Sequence, residues 1–245
     1  MSNITVRHLL GLSLLVMPMA SFAQLNHLSE TLNGGLAEKE KKVSLSFRSF
    51  DGNEASIYGD LALAYGWSRD INLYLRASGS ERKTVGAIRT GGTDVELQMA
   101  WRKANLYIAL GAALPSTPAQ DMIAGTWTVG FSGQEGKSSA FFGATGVTSD
   151  DVTLVGAAVA LRTPLSEQLS LDASSIFMIR GENTASIGGN LEDQTVLSFA
   201  LRYQFSEKQM FWVSASNALG GTTGFSMSHR LGAGFGLGAG IEVKF

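Results

Sequence analysis

From residue 43 to the C-terminus, bulky apolar residues return at every second position in one segment after another, and turn-forming residues break each run. A repeat of two marks extended chain with two unlike faces, because successive side chains of a strand point in opposite directions. Ile57, Leu61, Leu63, Tyr65 and Trp67 alternate with Ser56, Tyr58, Asp60, Ala62 and Ala64. Val95, Leu97, Met99 and Trp101 alternate with Asp94, Glu96, Gln98 and Arg102 in the same way, as do Leu197, Phe199, Leu201, Tyr203 and Phe205 with Ser198, Ala200, Arg202 and Gln204. Twelve such segments can be drawn, over 43–50, 55–67, 70–79, 93–102, 105–113, 122–132, 137–148, 152–163, 168–180, 193–205, 208–217 and 232–245. The chain is therefore all-β, with twelve strands expected and ten or fourteen as the alternatives.

Alternation alone does not say which face points inward. Two features of the chain favour apolar out and polar in. Tight connections (68–69, 103–104, 133–136, 164–167 and 206–207) alternate with a set that is usually longer (80–92, 114–121, 181–192 and 218–231, with 51–54 and 149–151 short). Barrels that cross a membrane segregate loop lengths in this way, and a sandwich has no reason to. The apolar series heading toward the tight turns also end in an aromatic residue five times out of six, at Trp67, Trp101, Phe131, Phe205 and Phe245, with Leu161 the exception. Rings gathered at one height form the girdle of a membrane boundary. Only 16% of residues are charged, against about 25% in a soluble globular protein, so part of the surface is expected to face something other than water.

The third feature is the chain end, GAGFGLGAGIEVKF, where Phe235, Leu237, Ile241, Val243 and a terminal Phe245 share one face. It resembles the closing strand of bacterial outer-membrane β-barrel proteins, a superfamily rather than one family. The resemblance implies that the barrel-assembly machinery reads this strand, with Phe245 as the end marker. The expected fold is an up-and-down antiparallel transmembrane β-barrel over 43–245. Because lipid offers no hydrogen bonds, the first and last strands must pair.

Residues 1–23, MSNITVRHLLGLSLLVMPMASFA, have the pattern of a secretory signal peptide: Arg7, an apolar stretch from Leu9 to Val16, and small residues before a cleavage expected ahead of Gln24. That address and the barrel together predict the outer membrane of a Gram-negative bacterium. Residues 24–42 form a separate N-terminal segment. Leu25, Leu28, Leu32 and Leu36 have roughly helical spacing there, which suits either a short plug inside the barrel or a periplasmic tail interrupted by Gly34-Gly35.

The even-numbered face, read as luminal, carries Arg48, Asp60, Arg76, Asp94 and Glu96 on four consecutive strands with alternating sign. A ladder of braced ion pairs is expected, in preference to a selective ring of one sign. Tyr58, Tyr74 and Tyr107 stand on the same face, as hydrogen-bonding partners and space fillers. The last strand presents a bare wall at Gly234, Gly236, Gly238 and Gly240, matched by Gly156, Ala158 and Ala160 on the eighth. Glycine weakens a strand unless something approaches closely, so a pore or a packed segment is expected against this wall. A nucleotide fingerprint is excluded because no helix follows the glycines.

The chemistry of the chain is sparse. There is no cysteine, no clustered histidine and no GxSxG or HExxH, so no cofactor or metal is expected. A hydrolase could be built only from Ser226 or Ser228 with His229 in the last long connection, and a loop histidine without catalytic role is the plainer reading. A net charge of −2 gives no field for nucleic acid. Arg82, Lys83 and Arg89 make one outer loop basic, suited to lipopolysaccharide phosphates. The expected partners are outer-membrane lipids, lipopolysaccharide, the assembly machinery and small polar solutes. The expected function is passive passage of small solutes, with a closed barrel whose outer loops bind a partner as the alternative. Ala140, Phe142, Ala144 and Leu154 blur the two faces of the seventh and eighth segments, where a greasier lumen could accept hydrophobic cargo.

Overall fold

The computed structural model describes residues 27–33, 35–50, 56–80, 83–85, 88–90, 93–114, 123–150, 153–183, 193–229 and 234–245. Twelve strands close into one antiparallel barrel. They are β1 (Lys41–Phe50), β2 (Ser56–Gly66), β3 (Ile71–Ser80), β6 (Thr93–Lys103), β7 (Leu106–Ala113), β8 (Ala124–Glu135), β9 (Ser138–Thr148), β10 (Thr153–Pro164), β11 (Leu169–Arg180), β12 (Val196–Ser206), β13 (Gln209–Ser216) and β14 (Gly236–Lys244). Two short strands, β4 (Lys83–Val85) and β5 (Ile88–Thr90), pair only with each other in the connection between β3 and β6. That hairpin was not expected, since three-residue strands are too short to show a period. The side chains of the basic loop residues Arg82, Lys83 and Arg89 lie outside the described residues, as does the whole of 1–23.

The ends of the sheet meet as the solvent argument requires. In the seam between β1 and β14, Lys42 lies opposite Lys244, Ser46 opposite Gly240 and Ser49 opposite Leu237. The Phe245 N–H donates to the Lys41 carbonyl at 2.9 Å and the Lys41 N–H donates to the Phe245 carbonyl at 3.3 Å, so the seam is hydrogen-bonded to its last residue.

Burial follows the period of two, but inverted relative to a water-soluble protein. Leu45, Phe47, Leu61, Leu97, Leu110, Phe142 and Phe199 point outward and are exposed, Phe142 to 66%. Most of the alternate positions are buried, including the charged Arg48, Asp60, Arg76, Asp94 and Glu96. In water each exposed large side chain would forgo about 1.5–3 kcal/mol relative to burial, and a continuous apolar belt of this kind is stable only against hydrocarbon. The barrel therefore spans a membrane. Phe131, Phe205 and Phe245 are exposed at the tight-turn end, and Tyr203 stands edge-on to Phe205 with ring centroids 4.9 Å apart.

Three of the five tight turns are two-residue hairpins, at Ala104-Asn105, Gly136-Lys137 and Glu207-Lys208, and the other two are the four-residue connections Trp67–Asp70 and Leu165–Gln168. Ala104 and Gly136 adopt the left-handed φ values, 50° and 59°, that the twist of such a hairpin demands. The turn expected over 133–136 shifts accordingly, because Gly133 is still in β8 and only Gly136 supplies a positive φ. The last segment is shorter than drawn, since Phe235 and Gly234 precede β14.

The barrel is not empty. Residues 27–33 and 35–36 enter it, beginning as a 3₁₀ turn (His27–Glu30), and Leu28, Leu32 and Leu36 are buried. They belong to an apolar cluster with Tyr74, Tyr107, Ala109, Phe141, Ala158 and Ala160. From the other end, the β13–β14 connection folds inward and forms a short helix, α1 (Thr223–Met227), capped by the Thr222 hydroxyl, which accepts from the Phe225 N–H.

Candidate functional site

Two inserts fill the lumen, and each is gripped by a different set of inward side chains. The N-terminal insert is held around its circumference. Lys42 on β1 donates to both Glu30 carboxylate oxygens at 2.8 and 2.9 Å and reaches Glu242 of β14 at 3.2 Å. Arg102 on β6 donates to the carbonyls of Glu30 and Thr31 at 3.1 and 3.2 Å. Gln134 of β8 donates to the Leu32 carbonyl, and Arg162 of β10 donates to the Asn33 side-chain oxygen at 2.9 Å. Arg162 also forms a two-pronged pair with Asp172 of β11 at 2.7 Å per bond, and Arg202 of β12 shares that carboxylate at 2.9 Å. Paired, hydrogen-bonded ions are what keeps such charge tolerable inside a protein.

The second insert is held by the acids that the alternation placed on the luminal face. Asp60 accepts from the Gly221 N–H at 3.2 Å and Asp94 from the Thr222 hydroxyl at 2.5 Å. Glu96 accepts from the Thr223 N–H at 2.9 Å and hydroxyl at 2.6 Å, and pairs with Arg76 at 3.2 Å. Arg76 also donates to Gln98 at 2.9 Å. Arg48, Asp60, Arg76, Asp94 and Glu96 are thus all buried, but the acids divide their bonds between strand cations and the inserted loop rather than forming a strand-to-strand ladder alone. The reason is geometric: a carboxylate offers several lone pairs, and the backbone N–H groups of an inward loop need acceptors once they leave water.

The tyrosines serve the walls. The Arg76 guanidinium lies 4.7 Å from the centroid of the Tyr74 ring, and the Arg102 guanidinium 5.3 Å from that of Tyr107. Tyr107 stands edge-on to Phe141, and Tyr58 edge-on to Phe50.

The glycine wall is lined from within the sheet, not by the N-terminal segment. A Cβ on Gly240 would meet the Trp212 ring at 2.3 Å, and one on Gly236 would meet the Phe50 ring and Arg48 at 2.9–3.0 Å. Glycine there makes room for large side chains from the flanking strands. Gly238 is buried on the same face, whereas Gly234 lies outside β14, exposed and with nothing near it. The insert packs instead on the alanine wall of β10, at Ala158 and Ala160. Gly240→Val should accordingly lower the urea midpoint of the micelle-solubilised barrel by an amount equivalent to about 1–3 kcal/mol, the range for overpacking a filled core. An unchanged midpoint would show that Trp212 swings aside freely.

A side-chain hydrogen bond joins the two inserts. His27 Nδ1 shares a hydrogen bond with Ser226 Oγ of α1, and Nε2 shares one with Thr145 Oγ1 of β9 at 3.0 Å. Burial, with Arg76 adding to it and Glu96 opposing, pushes His27 down to about 3, so the ring is neutral. A serine against a histidine invites comparison with a nucleophile and its base. Here the second nitrogen meets a threonine rather than a carboxylate, Ser226 donates its proton to the Thr223 carbonyl at 2.9 Å, and both residues are sealed from solvent. The contact is a joint between two inserts. Next to it, the His229 backbone N–H donates to the Asn183 carbonyl, and Ser228 donates to the Gly224 carbonyl.

Beyond the inserts, the tight-turn end opens into a vestibule of about 670 Å³ bordered by Glu30, Lys42, Arg162, Arg202 and Glu242. A second cavity, of about 30 Å³, lies deeper along β1–β3 and shares Glu30 and Glu242 with the first. Sequence reading gave no site role to Lys42, Arg102, Arg162, Asp172, Arg202 and Glu242. The signal was available for five of them, which are even-numbered positions on the face assigned to the lumen, Arg102 and Arg202 having been named there; Lys42 fell in the N-terminal segment, because β1 begins two residues earlier than the pattern placed it.

No protein-family model and no curated protein matches this chain. Among solved structures, one of Salmonella typhi OmpF in complex with daunomycin aligns over 84% of this chain and 97% of its own, at 10% identity and a TM-score of 0.42. Likeness at that level names neither a family nor a ligand for this chain.

Proposed function

We propose that this protein is an outer-membrane channel for small polar solutes, held shut by its own N-terminal segment and its inward-folded β13–β14 connection. The observation that supports it best is the ion-lined vestibule, which is floored by the N-terminal insert, a stretch of non-strand chain. Segments attached to the wall by side-chain bonds can leave without breaking the sheet, whereas a barrel built only as a scaffold needs no charged interior. Twelve strands enclose more space than the eight of a side-chain-filled barrel and less than the sixteen of an open porin, a bore suited to one small solute. The signal-peptide pattern and the hydrogen-bonded seam between β1 and β14 support export and assembly in the outer membrane. No bond-breaking step enters this reading.

The test is osmotic swelling of proteoliposomes in small sugars. A barrel lacking residues 27–36 and with 219–228 replaced by a glycine-serine linker should swell at least tenfold faster than the full chain. No swelling of this doubly shortened barrel would reject the channel and favour the closed, partner-binding alternative.

A further inference from the structure

We infer that the tight-turn half of the lumen is a binding site for small carboxylates, and that the N-terminal segment occupies it with a carboxylate of its own, Glu30. The inference rests on the channel reading, in which the bound anion is the solute admitted, and deepens it by naming the chemical class.

The wall in this half is a ring of donors: Lys42 of β1, Arg102 of β6, Gln134 of β8 and Arg162 of β10 all reach the segment. From Glu30 to Asn33 the described hydrogen bonds between segment and wall run one way. The wall donates, and the segment accepts through the Glu30 carboxylate, the carbonyls of Glu30, Thr31 and Leu32, and the Asn33 side-chain oxygen. Leu28 and Leu32 anchor the segment on the alanine wall, but what it shows to the ring is oxygen grouped about one negative charge.

The charge of the wall agrees. Among the described residues of this half, the strands bring in four cations, Lys42, Arg102, Arg162 and Arg202, against two acids, Asp172 and Glu242. The wall therefore holds an excess of two positive charges, which Glu30 halves. Nearer the rim Lys244 pairs with Glu40 at 3.4 Å, and Lys137, Glu167 and Glu207 stand exposed, where salt screens them. Deeper in, Arg48 and Arg76 accompany Asp60, Asp94 and Glu96, acids that hold Gly221, Thr222 and Thr223 of the other insert.

The ring also keeps donors that the segment does not use. Arg102 Nε and Ser139 Oγ are buried without a hydrogen-bond partner among the described residues, and Arg202 spends its Nε on the Met210 sulfur at 2.9 Å, a weak acceptor. Buried donors left in this way are costly. A free carboxylate accepts several hydrogen bonds at once and fits the guanidinium fork. The vestibule of about 670 Å³ reaches Lys42, Ser139, Arg162 and Arg202, so a small carboxylate has access to them from the tight-turn side.

The experiment is equilibrium dialysis of radiolabelled succinate against the micelle-solubilised full chain at constant sodium chloride. The full chain should bind succinate weakly, because Glu30 competes for the same donors. Glu30→Gln should tighten binding at least fivefold, and adding Arg102→Gln should cancel that gain. Glu38→Gln, which removes an exposed acid of the same segment, should change nothing, and succinamide, the neutral analogue, should not displace the label. If the Glu30 variant fails to assemble, Ser29→Cys supplies a single thiol in a chain without cysteine. Ser29 is buried in the docked segment, and succinate should speed its reaction with a maleimide at least fivefold at constant ionic strength. Binding that Glu30→Gln does not tighten, or that Glu38→Gln tightens equally, overturns the inference, as does labelling indifferent to succinate. A doubly shortened barrel that passes sugars, beside a full chain and a Glu30→Gln variant that bind no succinate, removes the carboxylate site and leaves the channel reading intact. Succinate bound by a protein whose doubly shortened barrel passes nothing overturns the site as the entry of a channel.

Discussion

Lowering the pH from 7.5 to 5 should raise the conductance of the full chain steeply, and His27→Gln should abolish that rise. His27 is held neutral in the barrel, pushed by burial from the ordinary 6.5 to about 3. Between those values the released segment binds a proton that the docked one does not, so docking weakens as the pH falls. The stabilisation is complete above pH 6.5, declines below it, and is exhausted near pH 3. Each pH unit in that window is worth about tenfold in the docking equilibrium, so pH 5 should shift it about thirtyfold toward release. Carboxylates also titrate under acid, which is why the glutamine variant is the necessary comparison: it keeps a neutral polar group and loses the basic nitrogen. A pH response that survives His27→Gln would place the acid sensitivity in Glu30 and its partners instead of at the joint.

Glu96→Ala should be the most destabilising single substitution on the luminal face. Its carboxylate, 0% exposed, binds Arg76, the Thr223 N–H and the Thr223 hydroxyl. Removing one partner of a buried ion pair costs about 3–5 kcal/mol, because the other charge is left unsatisfied. Here the root of α1 also loses its acceptor. The expected result is a large drop in the urea midpoint of the micelle-solubilised barrel, together with new proteolytic cleavage within 219–229. Glu96→Gln, which keeps one acceptor oxygen, puts an amide donor in place of the other and loses the charge, should fall between Glu96→Ala and the wild type. A Glu96→Ala barrel with a wild-type midpoint and a protected loop would show that Arg76 is adequately held by Gln98 and the Tyr74 ring.

The strands were legible because lipid imposes a strict rule on each of them separately. Positions such as Leu97 and Phe199 must be apolar and their neighbours Glu96 and Ser198 must not, and that alternation needs no knowledge of the rest of the fold. All twelve barrel strands fall within a few residues of where the pattern put them. The site was legible only in part. Position on the even face marks Asp94 and Glu96 as inward, but it cannot say that their partners lie at Thr222 and Thr223, about 128 residues away. Nor does a run of glycines reveal that Trp212 fills the space beside Gly240, since an empty wall and one covered from the next strand have the same local sequence.

What the sequence determined by itself is the class of the molecule, its strand count and the sense of its two faces, each dictated by a local period acting against a uniform solvent. Only the tertiary structure decided what the bore contains. The joint at His27 and Ser226 and the triad of Glu30, Lys42 and Glu242 join inserts to walls that are distant in the chain. Their partners are chosen by closure of the sheet, through shape and hydrogen-bond satisfaction in a confined space, and no period records that choice.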